Sequence, residues 1–162
     1  MNAPNGESGL DELYRDILLD HYRSPRNRGP LSGRATHRAN GANPLCGDEI
    51  TVELSVEDGR IADVAFAGQG CSISQASASM MTLHVRDRPP AEALEAVESF
   101  QRMMLKGEAA PEDFGDIEAL AGVRKFPVRV KCASLSWKTL ERALAEELGG
   151  AVTTDGRSNG DD

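Results

Sequence analysis

The chain has 162 residues, of which 40% are hydrophobic and only 4% aromatic. That length predicts one domain, large enough to bury a core without disulfide bonds. The net charge of −8 means that phosphate neutralisation does not favour binding, which argues against nucleic acid as a partner and makes a basic protein surface a plausible one. No apolar run approaches a membrane span and the first 20 residues lack the apolar core of a signal peptide, so we expect a cytoplasmic protein.

The first predicted element is a helix that follows a flexible leader, residues 1–9. Apolar side chains recur at helical spacing from Leu10 to Tyr22, and Pro25 ends the segment. Residues 29–45 are rich in Gly, Asn and Pro, which predicts a loop with room for one short strand.

A β-hairpin follows, because apolar and polar residues alternate along two neighbouring segments. Pairing Leu54 with Ala62 keeps one face of the hairpin apolar and makes Glu57–Gly59 a three-residue loop that ends in a glycine, as such loops favour. A two-residue turn would place Leu54 opposite Asp63, so we expect the longer loop.

Helices dominate the rest of the chain. Three helices are predicted first, over 72–85, from Pro90 to Gly107, and a short one within 111–123. An extended or irregular segment over 124–132 follows, and then a final helix over 133–148 and a polar tail over 149–162. The tail has too little apolar surface to fold, so we expect it to be disordered. The order of elements predicts an α+β fold, with a small antiparallel sheet and helices on one face, in a single domain over 10–148.

Three cysteines and one aspartate are the candidate reactive groups. Cys46 and Asp48 flank Gly47 in a loop just before the hairpin, and Cys71 follows the hairpin at a helix start. Both ends of a hairpin lie on the same side, so we expect Cys46 close to Cys71. Cys132 lies near the start of the last helix. An odd number of distant cysteines argues against a disulfide framework.

Two of these thiols are predicted at helix N-termini, where the helix dipole favours the thiolate form. Three thiolates and one carboxylate make a four-coordinate set that suits zinc. Against this, a single cysteine is most often a small buried apolar residue, and the spacing here is not CxxC. The pattern alone leaves both interpretations open.

Four segments of the chain carry a specific resemblance: LYRDILLDHYRSPRNRG, NPLCGDEI, GQGCSISQASASMM and GDIEALAGVRKFPVRVKCASLSWKTLERAL. Together they resemble the SufU family of iron–sulfur cluster assembly proteins. The resemblance covers about residues 10–148. SufU proteins are similar to the IscU and NifU-type scaffolds and share their three-stranded antiparallel sheet packed against helices. Scaffolds carry a histidine just before the third cysteine, where this chain has Lys131, and SufU proteins carry an insertion that PEDFGDIEALAGV resembles.

The resemblance implies a zinc site formed by Cys46, Asp48, Cys71 and Cys132. It also implies that the chain accepts persulfide sulfur from a SufS-type cysteine desulfurase, which uses pyridoxal phosphate, and stimulates that enzyme. In the family mechanism a desulfurase histidine takes one zinc position and frees the thiolate that matches Cys46 to accept the sulfur. Arg129 matches an arginine linked to this exchange.

The family mechanism makes the chain a sulfurtransferase-like carrier that serves downstream iron–sulfur assembly proteins, rather than a stand-alone enzyme. Two rival functions stay open. In the first, the chain is a scaffold that assembles an iron–sulfur cluster on the same ligands, since thiolates suit such clusters as well. In the second, it is an interaction module whose zinc is structural, so every ligand substitution would unfold it.

Overall fold

A three-stranded antiparallel sheet and five helices form the fold, which the computed structural model describes for residues 5–31 and 33–146. The strands pair in the order β1-β2-β3. The elements are α1 (Asn5–Arg23), β1 (His37–Asn43), β2 (Asp48–Glu57), β3 (Arg60–Gln69), α2 (Ser72–Val85), α3 (Pro90–Lys106), a 3-10 helix (Glu112–Val123) and α4 (Pro127–Ala145). The predicted α+β class with a small antiparallel sheet is confirmed.

Helix α1 ends at Arg23, just before Pro25, as the sequence predicted, but it begins earlier than expected. Its first residue, Asn5, lies within the predicted leader. Ser8 and Gly9 lower the helix propensity without removing a backbone N–H group, so neither stops the helix. Residues 1–4 and the predicted tail, 149–162, lie outside the described residues, and the predicted domain limits stay a prediction.

The hairpin of β2 and β3 has the two-residue turn that the sequence analysis rejected. Asp58 and Gly59 both have positive φ, at 53° and 77°, as a tight Asp-Gly hairpin turn requires. The register shifts after Val56 pairs with Ile61, so that Ala62 becomes the extra residue of a β-bulge. The bulge places Leu54 opposite Val64 instead of Asp63 and keeps the inner face apolar.

The segment before Cys132 is helical, so the prediction of an extended or irregular segment over 124–132 was wrong for its second half. Helix α4 begins at Pro127, the first helical position, where proline is favoured because its missing N–H has no partner there in any case. Cys132 therefore lies in the second turn of α4 rather than at its start.

Helix α4 packs closely across β1, and this packing positions the site. A Cβ atom at Gly41 would overlap the Thr139 side chain, so only glycine permits this approach. Trp137 is fully buried and stacks on Phe100 with a ring separation of 4.5 Å. None of the helices in the described part of the chain is long and apolar enough to cross a membrane.

Ser77 ties α2 to α4 next to Cys132. Its hydroxyl accepts a hydrogen bond from Trp137 Nε1–H at 3.0 Å and donates one to the Ala133 carbonyl at 2.6 Å. We expect Ser77→Ala to lower the free energy of unfolding by about 1–3 kcal/mol, because it leaves a buried donor and acceptor without these partners. Denaturant unfolding measures this. Ser99→Ala, which removes one long exposed contact, is expected to stay within about 0.5 kcal/mol, and equal losses would contradict the role of Ser77.

His21 is buried between α1, α2 and the 3-10 helix. Its Nδ1 lies 2.7 Å from Ser79 Oγ, and its Nε2 lies 3.9 Å from the Asp116 carboxylate. Burial, with a smaller contribution from Arg26, lowers the pKa of His21, while Asp116 and Asp20 act in the opposite direction. Burial likewise lowers the pKa of His84.

The lowered pKa of His21 makes the unfolded chain bind the proton more readily than the folded chain. We therefore expect the free energy of unfolding to be constant above about pH 6.5 on this account and to fall as the pH drops below it. Unfolding curves at several pH values test this. The slope for His21→Gln should be shallower than that of the wild type, and identical slopes would show that His21 is not responsible.

Candidate metal centre

Cys46 lies in the turn that joins β1 to β2. The ladder closes at the pair Asn43 and Asp48, which leaves the four residues 44–47 as the connection. Asn43 shapes this turn: its carbonyl accepts the Cys46 N–H at 3.1 Å, its Oδ1 accepts the Leu45 N–H at 3.2 Å, and its amide lies 3.7 Å from Cys46 Sγ. The sequence analysis missed Asn43, although an Asn-Pro pair is a signal for a turn.

Gly47 is needed for its backbone conformation. Its φ is +71°, in the left-handed region that other residues rarely adopt, and a Cβ atom there would meet nothing within 4 Å. With this conformation at Gly47, the turn that holds Cys46 ends directly before Asp48, the first residue of β2.

Asp48 is buried, with 1% of its surface exposed, at the first position of β2. Its Oδ1 accepts the backbone N–H of Cys71 at 2.9 Å, and its Oδ2 lies 3.9 Å from Cys71 Sγ. A Cβ atom at Gly70 would come within 2.7 Å of Asp48 Oδ1, so the glycine makes room for the carboxylate. The sequence analysis gave Gly70 no role.

Cys132 brings the third element to the site. Its sulfur is buried and lies 2.8 Å from Cys46 Sγ, so the closest pair of thiols is Cys46 and Cys132, whereas the sequence analysis expected Cys46 and Cys71. Ligand atoms of Cys46, Asp48 and Cys132 all lie within 4.8 Å of one another. The hairpin does end on one side as predicted, but the packing of α4 over β1 decides which thiols meet.

Cys71 is the exposed member of the set. It is the residue that precedes the first turn of α2, and its thiol faces Asp48 at the edge of the cluster. Cys46 is half-buried. The structure thus brings three of the four predicted ligands, Cys46, Asp48 and Cys132, together and places the exposed Cys71 beside Asp48, outside that group.

The electrostatics of Cys132 differ from the prediction. Burial raises the pKa of its thiol, and the neighbouring groups Cys46, Cys71 and Asp48 raise it further. The helix dipole does not offset this, because its effect falls off within the first turn and Cys132 lies in the second. A cation at this place acts in the opposite direction, because it favours the deprotonated thiol.

The donor set fits a zinc ion. Zinc binds thiolate sulfur at about 2.3 Å and carboxylate oxygen at about 2.0–2.2 Å. The sulfurs of Cys46 and Cys132, at 2.8 Å, are farther apart than the roughly 2.05 Å of a disulfide bond and close enough to share one ion. The buried Asp48 carboxylate and three thiols supply four donors of the kind that zinc accepts.

Arg129 and Lys131 lie on α4 just before Cys132, and both are exposed. The guanidinium of Arg129 lies over the Phe126 ring, 5.3 Å from its centroid. Lys131 thus places an exposed cation next to the buried thiol of Cys132.

Comparison with known families matches residues 13–145 to the family described as the NifU-like N terminal domain. This chain belongs to that family. Among its NifU-like relatives, the "Zinc-dependent sulfurtransferase SufU" of Bacillus subtilis is 46% identical over 144 residues, which are 88% of this chain and 97% of that protein. The "Iron-sulfur cluster assembly scaffold protein IscU" of Streptococcus pyogenes is 40% identical over 149 residues, which are 91% of this chain and 92% of that protein.

Solved structures of NifU-like proteins share the fold. The protein FiSufU of Fervidobacterium islandicum AW-1 matches with a TM-score of 0.74 and 36% identity, over 80% of this chain and 94% of that chain. The N-terminal part of a NifU-like protein of Brucella abortus matches with a TM-score of 0.76 and 26% identity, over 84% and 94%. The expected likeness to the SufU, IscU and NifU proteins is confirmed.

Proposed function

We propose that this NifU-like protein serves iron–sulfur cluster assembly as a zinc-dependent sulfur acceptor, which takes persulfide sulfur from a cysteine desulfurase that uses pyridoxal phosphate and stimulates that enzyme. The observation that carries the proposal is the convergence of Cys46, Asp48 and Cys132 at one end of the sheet, with Cys46 half-buried in a turn. The 46% identity to a protein named a zinc-dependent sulfurtransferase supports it.

Under this proposal Cys46, Asp48, Cys71 and Cys132 hold the zinc. The bound ion keeps the thiols deprotonated at neutral pH, although the burial of Cys132 by itself favours the protonated form. Asp48 also positions Cys71, because its carboxylate accepts the Cys71 N–H. Under this proposal the Asp48 carboxylate has two roles: it is a zinc ligand, and it holds the backbone of Cys71 in place.

Cys46 is the residue that we assign as the sulfur acceptor. Its thiolate, which would be free once a histidine of the docked desulfurase took its place among the zinc ligands, would attack the outer sulfur of the persulfide on the desulfurase. A bond forms between Cys46 Sγ and that sulfur, the sulfur–sulfur bond of the desulfurase breaks, and the desulfurase cysteine leaves as a thiolate. No external oxidant or reductant takes part, and the exposure of the turn allows the approach that buried Cys132 does not.

A second candidate function is a scaffold on which an iron–sulfur cluster is assembled and passed to apo-proteins. Its support is the thiolate-rich donor set, which suits such clusters, and the name of the Streptococcus pyogenes relative. Lys131 favours the first function, because the histidine next to the third cysteine of the scaffolds is replaced here by an exposed cation. Under either function we place the chain in the cytoplasm, with downstream iron–sulfur assembly proteins as recipients.

Metal analysis of aerobically purified protein, with a visible spectrum, separates the two functions. We expect about one zinc per chain and a colourless protein under the sulfur-acceptor proposal. Iron with sulfide and a brown protein would overturn that proposal in favour of the scaffold. If zinc is found, the next assay is stimulation of the desulfurase of the same organism by the zinc-loaded chain.

Arg129→Ala is expected to reduce desulfurase stimulation at least about tenfold without changing the zinc content, because the exposed guanidinium is available to a docked partner and is not a predicted ligand. Stimulation and zinc content are measured on the same preparation. Arg60→Ala, at the exposed tip of the β2–β3 hairpin, is the matched control and should behave as the wild type. Normal stimulation by Arg129→Ala would remove Arg129 from the exchange.

A further inference from the structure

A groove with a volume of about 470 Å³ lies beside the cysteine cluster, between α1, the start of α2, the end of the 3-10 helix and the start of α4. Its floor is largely apolar and includes Tyr14, Leu18, Ile73 and Val123. Ser72, the residue after Cys71, also lines it. The groove therefore reaches the start of α2, at the residue next to Cys71.

The rim of this groove is positive although the chain as a whole is strongly negative. Arg15, Lys125 and Arg129 line it, and within the described residues no carboxylate does. None of the three cations lies within 4.0 Å of a carboxylate of residues 12–31 or 33–146. These charges are therefore available to a ligand of opposite sign.

A second cavity shows the usual arrangement for comparison. It is lined by both carboxylates and guanidiniums, and Arg88 forms an ion pair with Asp113 at 3.1 Å across it. Among the described residues, no carboxylate in the lining of the groove beside Cys71 neutralises its three cations in this way, so these cations are available to an anionic ligand.

Two helices, α2 and α4, begin at the groove. Ser72 and Ile73 are the first residues of α2, and Phe126 precedes the first residue of α4. Neither helix has an acidic residue in its first turn or a side chain that caps it. The N-terminus of α4 is thus left without a carboxylate from the described residues, whereas the N–H of Cys71, just before α2, donates to the Asp48 carboxylate.

We propose that this groove binds an acidic segment of the partner protein that also carries a large apolar side chain. The inference rests on the proposed function and names the chemistry by which the desulfurase is recognised next to Cys71. Phe126, which lines the groove, is 49% exposed, and Val128, which is 52% exposed, extends the apolar surface beyond it. This extended surface suits a protein segment better than a small molecule that fits inside.

The first test reverses two rim charges with the double variant Arg15→Glu and Lys125→Glu, and leaves Arg129 unchanged. The probe is the purified cysteine desulfurase of the same organism, and the readouts are its dissociation constant, the salt dependence of binding, and zinc content. We expect the dissociation constant to rise at least about tenfold and to depend less on salt, with zinc content unchanged.

The matched control carries the same charge change away from the groove. The control substitutions are Arg60→Glu and Lys138→Glu. Arg60 lies at the hairpin tip, and Lys138 is exposed on α4 nine positions after Arg129. Their double variant should change the dissociation constant less than about threefold. Equal weakening by both double variants would overturn the inference, because it would show a response to net charge only.

A photocrosslinker at the groove identifies the occupant directly. With Phe126→benzoylphenylalanine, illumination of the complex should crosslink a desulfurase peptide that has a net negative charge and a large apolar residue. The same substitution at Leu105, which is exposed on α3, should not. A basic peptide, crosslinking between two copies of this chain, or a bound small molecule that blocks crosslinking would each overturn the inference.

The design separates this inference from the proposed function. If the wild-type chain does not bind the desulfurase at all, both are wrong. If the wild type binds and accepts sulfur while the groove variant binds equally well, the proposed function stands and the groove inference is wrong.

Discussion

Cys46→Ala is expected to abolish sulfur acceptance and to leave a folded chain. The thiol of Cys46 is the only one of the set that combines partial exposure with a position in a turn, and its side chain lies outside the hydrophobic core. Incubation with the desulfurase and cysteine, followed by intact-mass measurement, should show one added sulfur on the wild type and none on the variant. Circular dichroism should show the same secondary structure for both.

Leu45→Ala is the matched control, because Leu45 lies in the same turn and 67% of its surface is exposed. We expect this variant to accept sulfur as the wild type does. A folded Cys46→Ala protein that still gains sulfur would remove Cys46 from the assigned role. If instead the variants of all four ligands unfold, the zinc is structural and the chain is an interaction module.

Asp48→Ala is expected to weaken zinc binding at least about 100-fold, because it removes one of the four donors. Substitution of a residue that only hydrogen-bonds to a metal ligand often weakens metal binding by about 10–100-fold, so the loss of a ligand itself should cost at least as much. Asp48→Ala also removes the acceptor of the Cys71 N–H, so we expect a less stable metal-free protein. Competition with a chelator measures the affinity, and thermal unfolding of the metal-free protein measures the second effect.

Asp48→Asn separates the two roles of this carboxylate. The amide oxygen still accepts the Cys71 N–H, so the metal-free protein should unfold near the wild-type temperature, while the lost negative charge still weakens zinc binding. Wild-type zinc affinity in both variants would exclude Asp48 from the site. Weak zinc binding with an unchanged metal-free stability in both would exclude its positioning of Cys71.

The errors in the fold prediction have local physical causes. The Asp58-Gly59 pair is a strong signal for a two-residue turn, but we rejected it because it forces Leu54 opposite a charged residue. A bulge at Ala62 resolves that conflict, because it buries Ile61 as well as Val64 and so shifts the apolar alternation by one residue, whereas the prediction kept one unbroken alternation through Ala62. Residues 124–132 were predicted to be extended or irregular, whereas Pro127 occupies the first helical position of α4, where proline is favoured.

The errors at the candidate site arise from contacts between elements that are distant in the chain. Sequence reasoning reached Cys46 and Cys71 as neighbours through one hairpin, because a hairpin joins residues that are near in sequence. The contact of Cys46 with Cys132 spans 86 positions, and it depends on α4 lying flat on β1 at Gly41. No periodicity in the sequence encodes that approach.

The sequence by itself determined the fold class, the family and the identity of the candidate donors, because hydrophobic periodicity and residue types at motif positions are local properties. Only the tertiary structure decided which thiols meet, that Cys132 is buried with a raised thiol pKa, and that a positive groove adjoins Cys71. Each of these depends on how helices pack against one another and against the sheet, and packing joins side chains that no local pattern relates.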